Sequence, residues 1–90
     1  MSKDINDLES SFNTASNIIK TSGLSLSNQD LSELYGYYKQ ATCGDCEQDS
    51  PSFWDFKGKA KFEAWSKNKG ISKERAMKRY IRKVSELTSS

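Results

Sequence analysis

Ninety residues, 29% of them charged and 34% hydrophobic, suffice for one domain with a modest core and exclude a second. No run approaches the ~20 apolar residues of a membrane span, and the opening MSKDINDLESS has no apolar signal region, so the expected compartment is cytoplasmic. The net charge of +2 conceals an asymmetry: residues 1–56 carry three basic and nine acidic side chains (−6), residues 57–83 eleven basic and two acidic (+9), and Glu86 adds −1. Such a basic segment suits an anionic partner, phosphates first, although charge alone favours the plainer reading of a solvated, lysine-rich helix surface.

Apolar periodicity predicts helices almost throughout. Ile5, Leu8, Phe12, Ala15 and Ile19 follow 3–4–3–4 spacing, one stripe on one helix, with Asp4 placed as its N-cap and Gly23 near its end. SGLSLSN reads as a connection. Ser27, with Asp30 three residues on, resembles a capping box opening a second helix whose inner face carries Leu31, Leu34, Tyr35 and Tyr38. That helix should fade near TCGDC, since Gly44 and the polar stretch through Pro51 are turn chemistry. Ser52 followed by Asp55 offers a capping signal for a third helix containing Phe56, Ala60, Phe62, Ala64 and Trp65 and stopping near Gly70. Ser72 caps a fourth, with Glu74 in its first turn and Met77, Tyr80, Ile81, Val84 and Leu87 along its apolar side. No segment alternates with period two. The expected fold is all-α, an antiparallel four-helix bundle forming a single domain over 1–90 with its core at about 4–88.

An enzymatic reading finds few candidates. The absence of histidine rules out His-dependent triads and His-containing metal sites, and no GxxxxGK phosphate loop is present. Asp4, Asp7 and Glu9 fall at a helix start, where the dipole accounts for them. Cys43-Gly44-Asp45-Cys46 has the spacing of half a zinc site or of a redox pair. Two cysteines cannot complete a four-ligand zinc, and a redox pair would sit between a strand and a helix rather than after a helix. Two incidental thiols is the better reading, and no metal or cofactor is expected.

The stretch YGYYKQATCGDC is more informative. Tyr35 and Lys39 are four apart on one helix face, with Tyr38 one residue round from Lys39. A phenol and an ammonium there can both donate to a phosphate oxygen, and an adjacent ring can stack on a nucleobase. Lys57 and Lys61 form a similar pair on the third helix, and Tyr80 lies on the fourth. Tyrosines at the edge of a core with exposed hydroxyls would look the same.

In order and spacing, three blocks are similar to the acyl-CoA-binding proteins, also called diazepam-binding inhibitor: LYGYYKQATCGD, DFKGKAKFEAW and GISKERAMKRYIRKV, within a resemblance that runs from about residue 12 to 88. The resemblance implies a four-helix bundle that carries a long-chain acyl-CoA ester without altering it. By motif, Tyr35 and Lys39 would meet the ribose 3′-phosphate with Lys61 contributing from the third helix, Tyr38 would lie against the adenine, and Tyr80 would line the same pocket. Lys20, Lys57 and Phe62 complete the implied set, Lys20 as the loosest match. Phe62 stands where many members carry tryptophan, and SGLSLSN lacks the proline common before the second helix, so the acyl groove's rim and chain-length preference are expected to differ. The implied protein is a monomeric carrier with no stable membrane insertion and transient membrane contact during ligand exchange. Two alternatives remain at this point: a nucleic-acid-binding helical module using the basic C-terminal half, against which Glu63 and Glu74 interrupt the basic run, and a thiol-redox protein built on Cys43 and Cys46.

Overall fold

The computed structural model describes residues 3–89, with side chains from residue 7 onward. It contains four helices, α1 (Lys3–Thr21), α2 (Asn28–Cys43), α3 (Phe56–Ser66) and α4 (Lys73–Thr88), and no strand among the described residues. Among those residues α4 packs against both α1 and α2, whereas α3 packs against α2 alone. The bundle is flat, 43 × 32 × 16 Å between its outer Cα atoms. Helix axes pack ~8–10 Å apart and each Cα cylinder has a radius of ~2.3 Å, so 16 Å is the depth of two helix layers.

The apolar stripe of α1 faces α4: Phe12 and Ala15 are buried and Ile19 packs at the margin of the core. The helix begins at Lys3, so Asp4 lies inside it rather than at its cap. An acidic residue is favoured both at a cap and in the first turn, and the pattern does not separate the two. The side chains of Asp4 and Ile5 lie outside the described residues. α1 ends at Thr21, and Gly23 takes the left-handed turn (φ +69°) that redirects the chain.

Capping by Ser27 and Ser72 is as expected: Ser27 Oγ accepts from the Asp30 backbone N–H at 3.0 Å, and Ser72 Oγ from that of Arg75 at 3.1 Å. Each such cap stabilises its helix by about 1 kcal/mol. The Asp30 carboxylate turns to α4 and pairs with Lys83 Nζ at 2.9 Å, while Glu33 takes the same ammonium at 2.7 Å. Glu33, then Asp30, raise the Lys83 pKa, and Lys83 in turn lowers that of Asp30. One ammonium thereby joins α2 to α4.

The start of α3 differs from expectation. Asp55, not Ser52, is its cap, accepting from the Gly58 N–H at 3.0 Å, while the Ser52 carbonyl accepts from Asp55 N–H in the preceding turn. Both residue types cap helices, and the turn at Ser52 decides between them. Phe56 therefore opens the helix as an exposed residue, and the buried part of α3 is confined to Ala64 and Trp65. On α4, Ala76, Tyr80 and Val84 are buried, with Met77, Ile81 and Leu87 packed beside them. Burying Phe12, Leu34 and Val84 stabilises the fold by roughly 1.5–3 kcal/mol each.

A polar latch at one end of the bundle was not foreseen. Gln40 is fully buried, and its Nε2 donates to Asp45 Oδ1 and to the Ile71 carbonyl, both at 2.8 Å. Asp45 Oδ1 also accepts from the Gly70 N–H at 2.9 Å, and Trp65 Nε1 donates to the Gly44 carbonyl at 2.8 Å. These bonds tie the end of α2 to α3 and to the α3–α4 turn. The seam is completed at Gly36, in mid-α2, where a Cβ would collide with the Ala64 carbonyl and crowd Asn68 Nδ2. Glycine costs about 1 kcal/mol in a helix interior, and here it allows two helices to approach closer than any side chain permits.

Gly36→Ala should lower stability by roughly 1–3 kcal/mol in urea denaturation despite its better helix propensity, because α3 must move away from α2. The Gly70 N–H, then Gln40, hold the Asp45 carboxyl below the usual carboxylate range. Its contribution is therefore present above the ordinary carboxyl pKa and lost as pH falls through the depressed one. Asp45→Asn should be less stable than wild type near neutrality, with the difference closing as pH is lowered below about 4, read from denaturation midpoints at each pH.

Candidate functional site

Helical spacing brings side chains from α1, α2 and α4 around one surface depression of about 310 Å³. Ser16, Ile19 and Lys20 come from α1 at i, i+3 and i+4; Leu31, Leu34, Tyr35 and Tyr38 from α2; and Tyr80 from α4. A second depression of about 430 Å³ lies between α2 and α3, lined by Asn28, Leu31 and Ser32 and by Phe56, Lys57, Ala60 and Lys61. Leu31 lines both, so the two depressions adjoin over α2 as the two parts of one trough, with Ile19, Leu31 and Leu34 between the cations Lys20, Lys57 and Lys61.

The aromatic wall is a packed cluster. Phe12 stacks on Tyr38 with ring centroids 5.6 Å apart and meets Tyr80 edge-on at 5.0 Å, and Tyr38 and Tyr80 are 6.0 Å apart. Tyr80 is 4% exposed and Tyr38 lies at the surface, so one ring anchors the other. Burial pushes the Tyr80 phenol above its ordinary pKa, opposed by the Ser16 hydroxyl, and the group stays a hydrogen-bond donor at neutral pH.

Two lysines lie over aromatic rings along the α2–α3 seam. Lys61 Nζ is 5.4 Å from the centroid of Tyr35, and Lys39 Nζ is 4.9 Å from that of Trp65. Such contacts orient an ammonium without neutralising it. The trough thus gathers Lys20, Tyr35, Tyr38 and Tyr80 in its first depression and Lys57 and Lys61 in its second. Lys39 lines neither and sits beside them, turned to Trp65; Phe62 is half-buried on α3 and also lines neither. Sequence reasoning left out Ser16, Asn28 and Ser32 as lining residues and treated Ile19, Leu31 and Leu34 only as core. The signal was available: Ser16 and Lys20, like Asn28 and Ser32, are four apart and bracket an apolar residue of the same stripe.

Cys43 is exposed at the end of α2, its thiol pKa lowered by the Thr42 hydroxyl and then by Lys39 and Lys73. Cys46 is buried, so the second thiol belongs to the packed interior rather than riding in an exposed loop.

The sequence matches the family model described as acyl CoA binding protein over residues 9–84. The chain belongs to the acyl-CoA-binding protein family. Among its relatives, acyl-CoA-binding protein homolog 1 of Caenorhabditis elegans is 46% identical over 77 residues, covering 86% of this chain and 90% of that protein. The acyl-CoA-binding protein homolog of Manduca sexta is 44% identical over 84 residues, covering 92% and 93%. The crystal structure of acyl-CoA-binding protein 2 from Oryza sativa superposes with a TM-score of 0.85 at 40% identity over 90% of each chain. That of the protein from Moniliophthora perniciosa gives 0.82 at 34% identity over 88% of this chain and 78% of its own. Membership in this family accounts for the co-linearity of the three sequence blocks, which fall on α2, on α3 with its cap, and on α4 with the turn before it.

An alkaline absorbance titration should contain a tyrosinate transition above the ordinary phenol range, and Tyr80→Phe should abolish it. Persistence of that transition in the variant would place the buried phenol elsewhere.

Proposed function

We propose that this chain binds long-chain acyl-CoA esters non-covalently and carries or buffers them, releasing the ester unchanged rather than acting as an enzyme. Family membership supports this reading, and one observation carries it: Lys61 over Tyr35 sets a cation and a phenol from two helices at the edge of a trough whose middle is Ile19, Leu31 and Leu34. An amphiphile with a phosphorylated head and a hydrocarbon tail matches that division.

In this reading Tyr35, Lys39 and Lys61 meet the 3′-phosphate of the ribose, and Tyr38, already at the surface of an aromatic stack, lies against the adenine. Tyr80 lines the pocket from α4, Lys20 and Lys57 add positive charge at the rim, and Phe62 supports α3 from outside the trough. Charge-assisted bonds to phosphate give orientation and selectivity for the head group. The tail supplies most of the affinity, since each buried CH₂ is worth ~0.8 kcal/mol and about fourteen of them gain on the order of 11 kcal/mol gross, before ordering costs. No separate cofactor is needed to hold or release such an ester.

The protein acts as a monomer in the cytoplasm and touches membranes transiently to exchange ligand. No helix among the described residues is long and apolar enough to cross a membrane. The family and its relatives lend no support to the nucleic-acid alternative.

Isothermal titration with palmitoyl-CoA should give one ester per chain. Lys39→Ala, Lys61→Ala and Tyr35→Phe should each weaken binding about tenfold, equivalent to ~1.4 kcal/mol, and each removal of two methylenes from the tail should cost roughly another tenfold. No heat, together with no competition against a fluorescent acyl-CoA, would defeat the proposal.

A further inference from the structure

The three most exposed large apolar side chains of the described residues fall within four positions: Phe53 at 73%, Trp54 at 67% and Phe56 at 79%. Phe53 and Trp54 meet edge-on with ring centroids 4.8 Å apart, so the two rings form a preorganised knob. The knob caps the turn before α3, where Asp55 fixes the backbone, and the third ring, Phe56, lines the mouth of the trough with Leu31, itself 48% exposed. The candidate site uses Phe56 and leaves Phe53 and Trp54 unused. Three exposed aromatic rings within four residues of a small domain mark a docking surface.

The charges around this knob indicate its occupant. Inside the helix the first turns of α3 hold Lys57, Lys59 and Lys61 and no acidic residue, although a helix start favours the opposite sign; the N-cap Asp55 is the one carboxylate at this helix start. Lys57 and Lys61, four apart on one face, line the same depression as Phe56, so two ammonium groups stand beside that ring at the positive end of the helix. Tryptophan and phenylalanine backed by lysines match the interface of a bilayer, where rings settle at headgroup level and cations meet anionic lipids. Glu47 and Asp49, upstream in the loop, precede Pro51 and lie outside this aromatic–lysine run, and Asp55 within it is engaged in the cap bond from the Gly58 N–H.

We infer that Phe53, Trp54 and Phe56, with the α3 lysines, form a docking face for anionic bilayers that presents the mouth of the trough to the membrane. The purpose of docking, direct exchange of ester between bilayer and trough, rests on the carrier reading; docking itself does not.

The test uses the full chain, unilamellar vesicles of phosphatidylcholine alone or with phosphatidylserine, and Phe53→Ser/Trp54→Ser. Wild type should co-sediment with the mixed vesicles, and its tryptophan emission should shift to shorter wavelength and be quenched by spin-labelled lipid, because Trp54 is exposed and Trp65 is already buried. The double variant should lose at least tenfold in vesicle partitioning while its palmitoyl-CoA titration is unchanged. No partitioning of wild type, equal partitioning of the variant, equal binding to neutral and anionic vesicles, or burial of the knob in a dimer seen by sedimentation would each overturn the inference. Partitioning that depends on the knob, in a chain whose acyl-CoA titration is flat, would support docking and defeat the carrier function alone.

Discussion

The close approach of α2 and α3 at Gly36 is the constraint on which the site depends. Among the described residues α3 packs against α2 alone of the helices, so this seam sets where Lys57 and Lys61 stand and brings Lys61 over Tyr35. The seam has three parts, a missing side chain at Gly36, the Trp65 indole bonded to the Gly44 carbonyl, and the Gln40–Asp45 latch that also holds the α3–α4 turn. A helix of 11 residues with two buried side chains would be marginal in isolation. The latch provides directional bonds where apolar area is scarce, and a buried amide with two acceptors is costly to misplace.

This division resolves the motif YGYYKQATCGD. Tyr35 and Tyr38 face the trough and Lys39 stands beside it, while Gly36, Gln40, Gly44 and Asp45 hold the helices that position them. Ligand-facing and structural residues interleave because both surfaces belong to one helix, whose turn of 3.6 residues alternates them. A substitution at Gly36 or Gln40 would thus weaken ligand binding through α3 without touching the ligand, and a stability measurement separates that loss from one at Lys61.

Helix number, capping at Ser27 and Ser72, and the apolar stripes of α1 and α4 were legible because periodicity and caps are local properties. An antiparallel bundle followed from four such helices joined by loops, but the convergence of Tyr35, Tyr80 and Lys61 came from the family resemblance, since no local pattern says that α3 lies against α2. The latch was illegible for a physical reason: Gln40 reads as polar and hence exposed, and its burial depends on acceptors 5 and 31 residues away. Exposure of Phe56 was missed because an aromatic residue at a helix start counts as core in any periodic reading. Whether a ring packs inward or serves a surface is settled by what lies opposite, and opposite Phe56 is an open depression shared with Asn28, Leu31 and Ser32 of α2.

The basic residues divide by the company they keep. Lys83 is held between two carboxylates, and Arg82 pairs with Glu86 on the outer face of α4 at 3.5 Å. Among the described residues Lys20, Lys39, Lys57 and Lys61 have no carboxylate within ion-pair distance, and two of them rest over rings instead. The difference matters for binding. An ammonium already committed to a carboxylate must break that pair before meeting a phosphate, whereas one aligned over an aromatic ring retains its donors and much of its hydration. In the proposed carrier the charge asymmetry of the sequence therefore serves two purposes, a structural pair joining α2 to α4 and a set of uncommitted cations around the trough, and only the second set should sense the phosphates of a bound head group.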